Sequence, residues 1–173
     1  MRKKKLTLIT GGARSGKSNF ALELSDPYDV RTFIATAEAI DDEMTERIRR
    51  HKDERKGNFT TIEEPLDLAG VITGLPKGNG VALIDCMTVW LGNLMHYENA
   101  DREDAPSIQA FLNAISTPPC DMVIVTNEVG LGIVPPDAMS RLFRDLAGFV
   151  NRKVAEAADD VYLVACGLPL KLK

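Results

Sequence analysis

Short apolar runs recur along the chain at residues 5–10, 31–37, 81–86, 122–127 and 161–166. Two of them, Val81-Ala82-Leu83-Ile84 and Met122-Val123-Ile124-Val125, show no polar alternation. That is the pattern of strands covered on both faces, as in a parallel sheet between helices. Between the runs the apolar spacing lengthens to a helical one, predicting helices over residues 18–24, 41 to about 56, 65–72, 87–97, 108–115 and 137–158. The last places Met139, Leu142, Phe143, Leu146, Val150 and Val154 on one face behind Pro135-Pro136-Asp137, so this stripe is expected to be core. Residues 59–64 fit a short edge strand, and residues 99–106 form a polar, charged connection suited to the surface. Strands alternating with helices predict an α/β fold with a mostly parallel sheet covered by helices. There is no repeat, low-complexity tract or linker, so residues 1–173 are expected to form a single domain.

Composition narrows the picture. Lys and Arg number 21 against 25 Asp and Glu, for a net charge of -4. No global basic field exists, which disfavours a nucleic-acid partner. Cys86, Cys120 and Cys166 are odd in number and widely spaced. They read as reduced core thiols, which fits the cytoplasm. Met1-Arg2-Lys3-Lys4-Lys5 is followed only by Leu6 to Ile9 before Thr10 and two glycines, too little for a signal peptide, whose apolar region needs about 7 residues or more. No stretch approaches the ~20 apolar residues of a membrane span. The basic tail is expected to be a solvated lead into the first strand.

The run Gly11-Gly12-Ala13-Arg14-Ser15-Gly16-Lys17-Ser18 directly follows the first predicted strand and opens a helix. It is a P-loop, and it points to a nucleoside triphosphate. Glycines let the backbone curl and aim amide N–H groups at phosphate oxygens. Lys17 supplies charge to the β- and γ-phosphates, and the Ser18 hydroxyl can ligate Mg²⁺. In an open parallel sheet the ligand lies at the carboxyl ends of the strands, which draws attention to Ala35, Thr36, Ala37, Asp85, Asn127 and Glu128. Asp85 ends an apolar run where an acid would hold the Mg²⁺ shell, or would instead cap the following helix. His51 follows Met44 and Ile48 on one helical face, amid Arg47, Arg49, Arg50, Lys52 and Arg55. Surrounding cations depress an imidazole pKa and favour the neutral, nucleophilic form, although such a basic run is commonly a solvated face. Asn127-Glu128-Val129-Gly130 opens a loop whose polar groups could meet a γ-phosphate or an acceptor hydroxyl, or could simply stabilise a turn.

Several segments together resemble one family. They are the P-loop, Ile34-Ala35-Thr36-Ala37, Asp42-Glu43-Met44 with Arg47-Ile48 and His51, Thr61 with Glu63, Thr126-Asn127-Glu128-Val129-Gly130, Gly132-Ile133-Val134-Pro135, and Arg144-Asp145-Leu146-Ala147-Gly148 with Val150-Asn151. The family is the bifunctional adenosylcobinamide kinase/adenosylcobinamide-phosphate guanylyltransferase, and the resemblance runs nearly end to end. It implies a P-loop NTPase fold of RecA-like type, usually trimeric. It also implies two reactions on one corrinoid. The first is phosphorylation of the aminopropanol hydroxyl of adenosylcobinamide by ATP or GTP. In the second, His51 attacks the α-phosphate of GTP, expels pyrophosphate, and yields GMP to the phosphorylated corrinoid. Gly11 to Ser18 would bind the triphosphate, with Ala35, Thr36, Ala37, Lys52, Asp53, Glu54, Arg55, Glu63 and Asp85 lining the nucleotide site and Ser18 and Asp85 serving Mg²⁺. The alternatives are a P-loop kinase without nucleotidyl transfer, in which His51 only binds phosphate, and a nucleotide-switched module with no acceptor.

Overall fold

A computed structural model of the chain describes residues 3–39, 46, 49 and 59–173. The predicted helix over 41 to about 56 therefore lies outside the described residues except at Glu46 and Arg49, which are helical, exposed and ion-paired at 2.7 Å. The strands are β1 (Leu6–Thr10), β2 (Arg31–Ala35), β3 (Thr60–Glu63), β4 (Val81–Asp85), β5 (Asp121–Val125), β6 (Asp160–Ala165) and β7 (Leu168–Lys171). The helices among the described residues are α1 (Lys17–Ser25), α2 (Leu68–Gly74), α3 (Met87–Tyr97), α4 (Pro106–Ser116) and α5 (Ala138–Ala157).

One seven-stranded sheet runs in the order β3-β2-β4-β5-β1-β6-β7. All neighbours are parallel except β6 and β7, which form an antiparallel hairpin. The strand before the P-loop, β1, is thus separated from β4 and its terminal Asp85 by the inserted β5. This is the RecA-like arrangement of an α/β P-loop fold.

Strict alternation divides the sheet residues between two cores. Leu6, Leu8, Ala82, Ile84, Met122 and Ile124 pack with Leu68, Trp90, Phe111 and Val150, so α2 to α5 cover one face. Ile9, Leu83, Val123, Val125 and Val164 pack with Ala21 of α1 on the other. The central strands are buried on both sides, as their unbroken apolar runs require. The rings of Trp90 and Phe111, 4.7 Å apart, anchor the larger core, and Trp90 Nε1 donates to the Leu66 carbonyl at 2.7 Å.

Five expected features change. The helix expected from residue 65 starts at Leu68 because Glu64 Oε1 first accepts from Leu66 and Asp67 N–H, both at 2.9 Å, and Asp67 then caps it. The stripe of α5 is core only from Leu146 onward: Leu142 and Phe143 are half-buried and Met139 is 65% exposed. Cys166 is not a core thiol but sits exposed in the β6–β7 turn, while Cys120 is buried. The basic tail is not merely solvated: Lys3 pairs with Asp159 at 2.7 Å, Lys4 Nζ donates to the Gly78 carbonyl at 2.6 Å, and Lys5 pairs with Asp160. β7 itself is an addition that the apolar pattern did not announce.

Candidate active site

The P-loop emerges from β1 and closes on itself before α1. Gly11 has φ 151°, and a Cβ there would lie 2.3 Å from the Val164 carbonyl oxygen, so no side chain fits. Gly16, at φ 97°, occupies the N-cap of α1 in the left-handed region, and no side chain caps the helix. The N-terminus of α1 is thus left without a side-chain cap, at the end where the helix dipole favours an anion. Lys17 is 7% exposed, and its Nζ donates to the Gly12 carbonyl at 2.6 Å and approaches Ser15 Oγ at 3.5 Å. The ammonium thus sits within the curl of its own loop. Gly12, Ala13 and Arg14 are exposed, and Ser15, Gly16 and Ser18 are half-buried, which leaves the loop open to solvent at its outer surface.

Two neighbours hold the loop in place. Glu128 N–H donates to the Gly11 carbonyl at 3.0 Å from the β5 side, and Gly167 N–H donates to the Ser15 carbonyl at 2.9 Å from the hairpin side.

The other expected residues gather at the same end of the sheet. Register pairs Glu63 with Ala35, Ala35 with Asp85, Asp85 with Val125, and Val125 with Ile9, so they share one row at the carboxyl ends of the strands. Thr36 is fully buried and clasps the next residue of β4: its Oγ1 donates to the Cys86 carbonyl at 2.8 Å and accepts from Cys86 N–H at 3.0 Å. Asn93 Nδ2 donates to the carbonyls of Thr36 and Pro65, which fixes the path of Thr36 and Ala37. Asp85 does not cap α3, because the cap position falls on Cys86 and no side chain caps the helix. Burial, followed by the negative charge of Asp85, pushes the Cys86 thiol up to about 11, while Lys17 pulls the other way. Asp85 lies across Val125 from Ile9, two residues before the P-loop begins at Gly11. Alternation along β4, with Val81 and Leu83 on the α1 side, puts Asp85 on the face where Lys17 starts its helix. A carboxylate, a lysine and the Ser18 hydroxyl converging there have the chemistry to hold a triphosphate and a divalent cation.

Glu128 is half-buried, and its Oε1 accepts from Gly130 N–H at 3.0 Å, so this acid does stabilise its own turn. His51, Lys52, Asp53, Glu54 and Arg55 lie outside the described residues. Sequence reasoning gave no role to Thr88, Asn93, Thr126 or Asn151, which carry the polar bonds under these loops. Their signal was polarity within otherwise apolar helical or strand faces, and for Thr126 and Asn151 a place in the segments that carry the family resemblance.

The sequence model of one family, cobinamide kinase / cobinamide phosphate guanyltransferase, matches residues 7–172. The bifunctional adenosylcobalamin biosynthesis protein CobU of Salmonella typhimurium is 39% identical over 180 residues, spanning 97% of this chain and 99% of that protein. The corresponding protein CobP of Pseudomonas aeruginosa is 39% identical over 96% of both chains. Among solved structures, a protein from Pyrococcus horikoshii OT3 superposes with a TM-score of 0.58 over 100% of this chain and 88% of its own, at 6% identity, a likeness of fold alone. A P-loop with its partner carboxylate in RecA-like order, together with similarity along almost the whole chain, leads to one assignment: the chain belongs to the cobinamide kinase / cobinamide phosphate guanyltransferase family.

Proposed function

We propose that this chain carries out both reactions of its family. It phosphorylates the aminopropanol hydroxyl of adenosylcobinamide with ATP or GTP, and it then transfers GMP from GTP to the phosphorylated arm. The observation that carries the phosphoryl-transfer half is the P-loop at the end of β1 with Asp85 in the same register row at the carboxyl edge of the sheet, on the face covered by α1. Lys17, the P-loop amides and the N-terminus of α1 stabilise the charge that builds on the transferring phosphoryl group. Mg²⁺, held by Ser18 and Asp85, would neutralise the β- and γ-oxygens. Ala35, Ala37 and Glu63 line the nucleotide beyond the phosphates, with the fully buried Thr36 fixing the backbone between them, and Lys52, Asp53, Glu54 and Arg55 complete its site.

For the second reaction, an imidazole nitrogen of His51 forms a bond to the α-phosphorus as the bond to the pyrophosphate oxygen breaks. The phosphate of the corrinoid then displaces the imidazole and takes the GMP. The dense cations around His51 keep the imidazole neutral near pH 7 and draw in the anionic nucleotide. The functional unit is a single nucleotide-binding domain that assembles as a homo-oligomer, a trimer by family resemblance, and works in the cytoplasm. No helix among the described residues is long and apolar enough to cross a membrane.

The test is to incubate the protein with Mg²⁺ and GTP labelled at the α-phosphate, denature it, and look for protein-bound label that is acid-labile and base-stable. Retained label that disappears in His51→Ala, with phosphorylation of adenosylcobinamide preserved, is the expected result. Label that persists in that variant would remove His51 from the nucleophile role. Absence of label in the unchanged protein would reduce the function to a P-loop kinase.

A further inference from the structure

Behind the candidate site, on the face covered by α3 and α5, lies a ring of hydrogen bonds that begins and ends on one residue, Asn127. Asn127 N–H donates to Thr88 Oγ1 at 2.7 Å. Thr126 Oγ1 donates to Asn151 Oδ1 at 2.8 Å, and Thr88 and Thr126 hydroxyls are 3.1 Å apart. Asn151 Nδ2 returns a bond to the Asn127 carbonyl at 3.2 Å.

A hydroxyl has one proton to give, and that of Thr126 is committed to Asn151, so the Thr88 hydroxyl must be the donor to Thr126. Donation therefore runs in one sense around the ring, from Asn127 N–H through Thr88, Thr126 and Asn151 back to the Asn127 carbonyl. Bonds that follow one another in a single direction polarise and strengthen each other. Thr88, Thr126 and Asn151 are respectively 7%, 0% and 8% exposed, so water does not compete for these groups.

The ring draws on the first turn of α3, the end of β5 and the middle of α5. What it immobilises is Asn127, at the tip of the strand inserted between the P-loop strand and the Asp85 strand. The next residue, Glu128, holds the Gly11 carbonyl. Ordinary core packing would not need three polar side chains from three elements to capture both backbone groups of a single loop residue. The cost of burying them makes sense if the position of that residue matters. Alternation places Thr126 on the α5 side and Asn127 on the side of Lys17 and Asp85.

We infer that Thr88, Thr126 and Asn151 are positioning residues for phosphoryl transfer, locking the Asn127–Glu128 backbone against the P-loop so that the strand tip faces the transferring phosphate. This rests on the kinase reading of the site. A positioning role acts on the chemical step more than on nucleotide affinity, which Lys17 and the P-loop amides dominate.

The test compares Thr88→Val, which keeps the shape and removes the hydroxyl, with Thr88→Ser, which keeps the hydroxyl. Adenosylcobinamide phosphorylation is assayed with Mg-ATP, alongside ATP affinity by calorimetry, the melting temperature, and hydrogen exchange of the backbone around Asn127. The expected result is at least a tenfold fall in kcat in Thr88→Val, ATP affinity within twofold of the unchanged protein, faster exchange at Asn127, and recovery of kcat in Thr88→Ser. Asn151→Ser, which cannot span both partners, should reproduce the kcat loss if Thr88→Val folds poorly. Unchanged kcat in variants that have lost protection at Asn127 would overturn the inference. So would a loss of kcat that tracks only the amount of folded protein. If the unchanged protein phosphorylates no corrinoid, the kinase reading fails and the inference falls with it; failure of the inference alone shows as full activity in the variants.

Discussion

Thr10 ends β1 with a hydroxyl that is fully shielded from solvent and has no hydrogen-bond partner among the described residues. Its register partner is Leu163 of β6, and it lies one step beyond the Ile9–Val125 pair and directly before the P-loop. A buried unpaired hydroxyl costs roughly 1–3 kcal/mol relative to a satisfied one. Thr10→Val is nearly isosteric and removes that penalty. The variant should gain about 1 kcal/mol, read as a rise in melting temperature of about 2–4 °C for a chain of this size. A fall in melting temperature would show that the hydroxyl is bonded in solution. A rise accompanied by weaker ATP binding would show that its strain serves the loop that follows. The contrast with Thr126 is instructive, since that residue directly follows β5 with a hydroxyl engaged by both Thr88 and Asn151.

At the scale of elements, the β6–β7 hairpin does more than close the sheet. Its turn places Cys166 at φ 54° and Gly167 at φ 80°, both in the left-handed region that a two-residue turn with the proper twist requires. Gly167 N–H then reaches the Ser15 carbonyl, and a Cβ on Gly16 would lie 3.2 Å from the Gly167 Cα. Hairpin and P-loop therefore fit together backbone to backbone. Gly167→Val forces a branched residue into the left-handed region, at a cost of about 1–2 kcal/mol, and displaces the donor to Ser15. Both a lower melting temperature and weaker ATP binding are expected, by calorimetry on the folded variant. Unchanged ATP affinity would confine the hairpin to a structural role. This element also shows where sequence reading stops. The parallel strands were legible because burial on both faces leaves an unbroken apolar signature. In β7, Leu168-Pro169-Leu170-Lys171 is short, exposed and interrupted by proline, a residue tolerated only because this is an edge. Helix α5 was legible in extent because Asp137 caps it by accepting from Ser140 N–H at 2.8 Å. Its exposed first turns were not, because periodicity reports which face is apolar and says nothing of where the core beneath ends. The candidate site followed the same division. The P-loop glycines and lysine form a local signature, whereas the ring around Asn127 joins residues 24 to 39 positions apart and can be seen only in three dimensions.

The whole molecule separates chemistry from ionic clamping by the length of its strands. At their carboxyl ends lie the P-loop, Asp85 and Asn127; at their amino ends the basic tail binds a set of acids. Asp159 accepts from Lys3 Nζ and from Leu6 N–H at 2.9 Å, while Asp160 is bridged by Lys5 and by Lys171 of β7 at 2.7 Å. The Lys3 hydrogen bond, aided by the Leu6 amide, holds the Asp159 carboxyl below its ordinary value, and bonds from Lys171 and Lys5 do the same for Asp160. A carboxylate whose pKa is depressed on folding binds fewer protons in the native state than in the unfolded chain. Its stabilisation is complete above the ordinary aspartate value of about 4 and is lost as pH falls through that value and then through the lower folded one. The melting temperature should accordingly be flat from neutrality to about pH 5 and should decline below about pH 4. Asp160→Asn leaves Lys5 and Lys171 half-exposed rather than buried, so its cost at pH 7 should be modest, about 1 kcal/mol or less. Part of the acid decline should vanish with it, because one of the groups that must be protonated is gone. An acid slope identical in the variant and the unchanged protein would place the sensitivity elsewhere. Because Lys5 leads into the P-loop strand and Lys171 belongs to the hairpin that carries Gly167, loss of this clamp should loosen the strand before the P-loop together with the hairpin that supports it. ATP affinity measured across the same pH range should therefore weaken in step with the melting temperature in the unchanged protein and less steeply in Asp160→Asn.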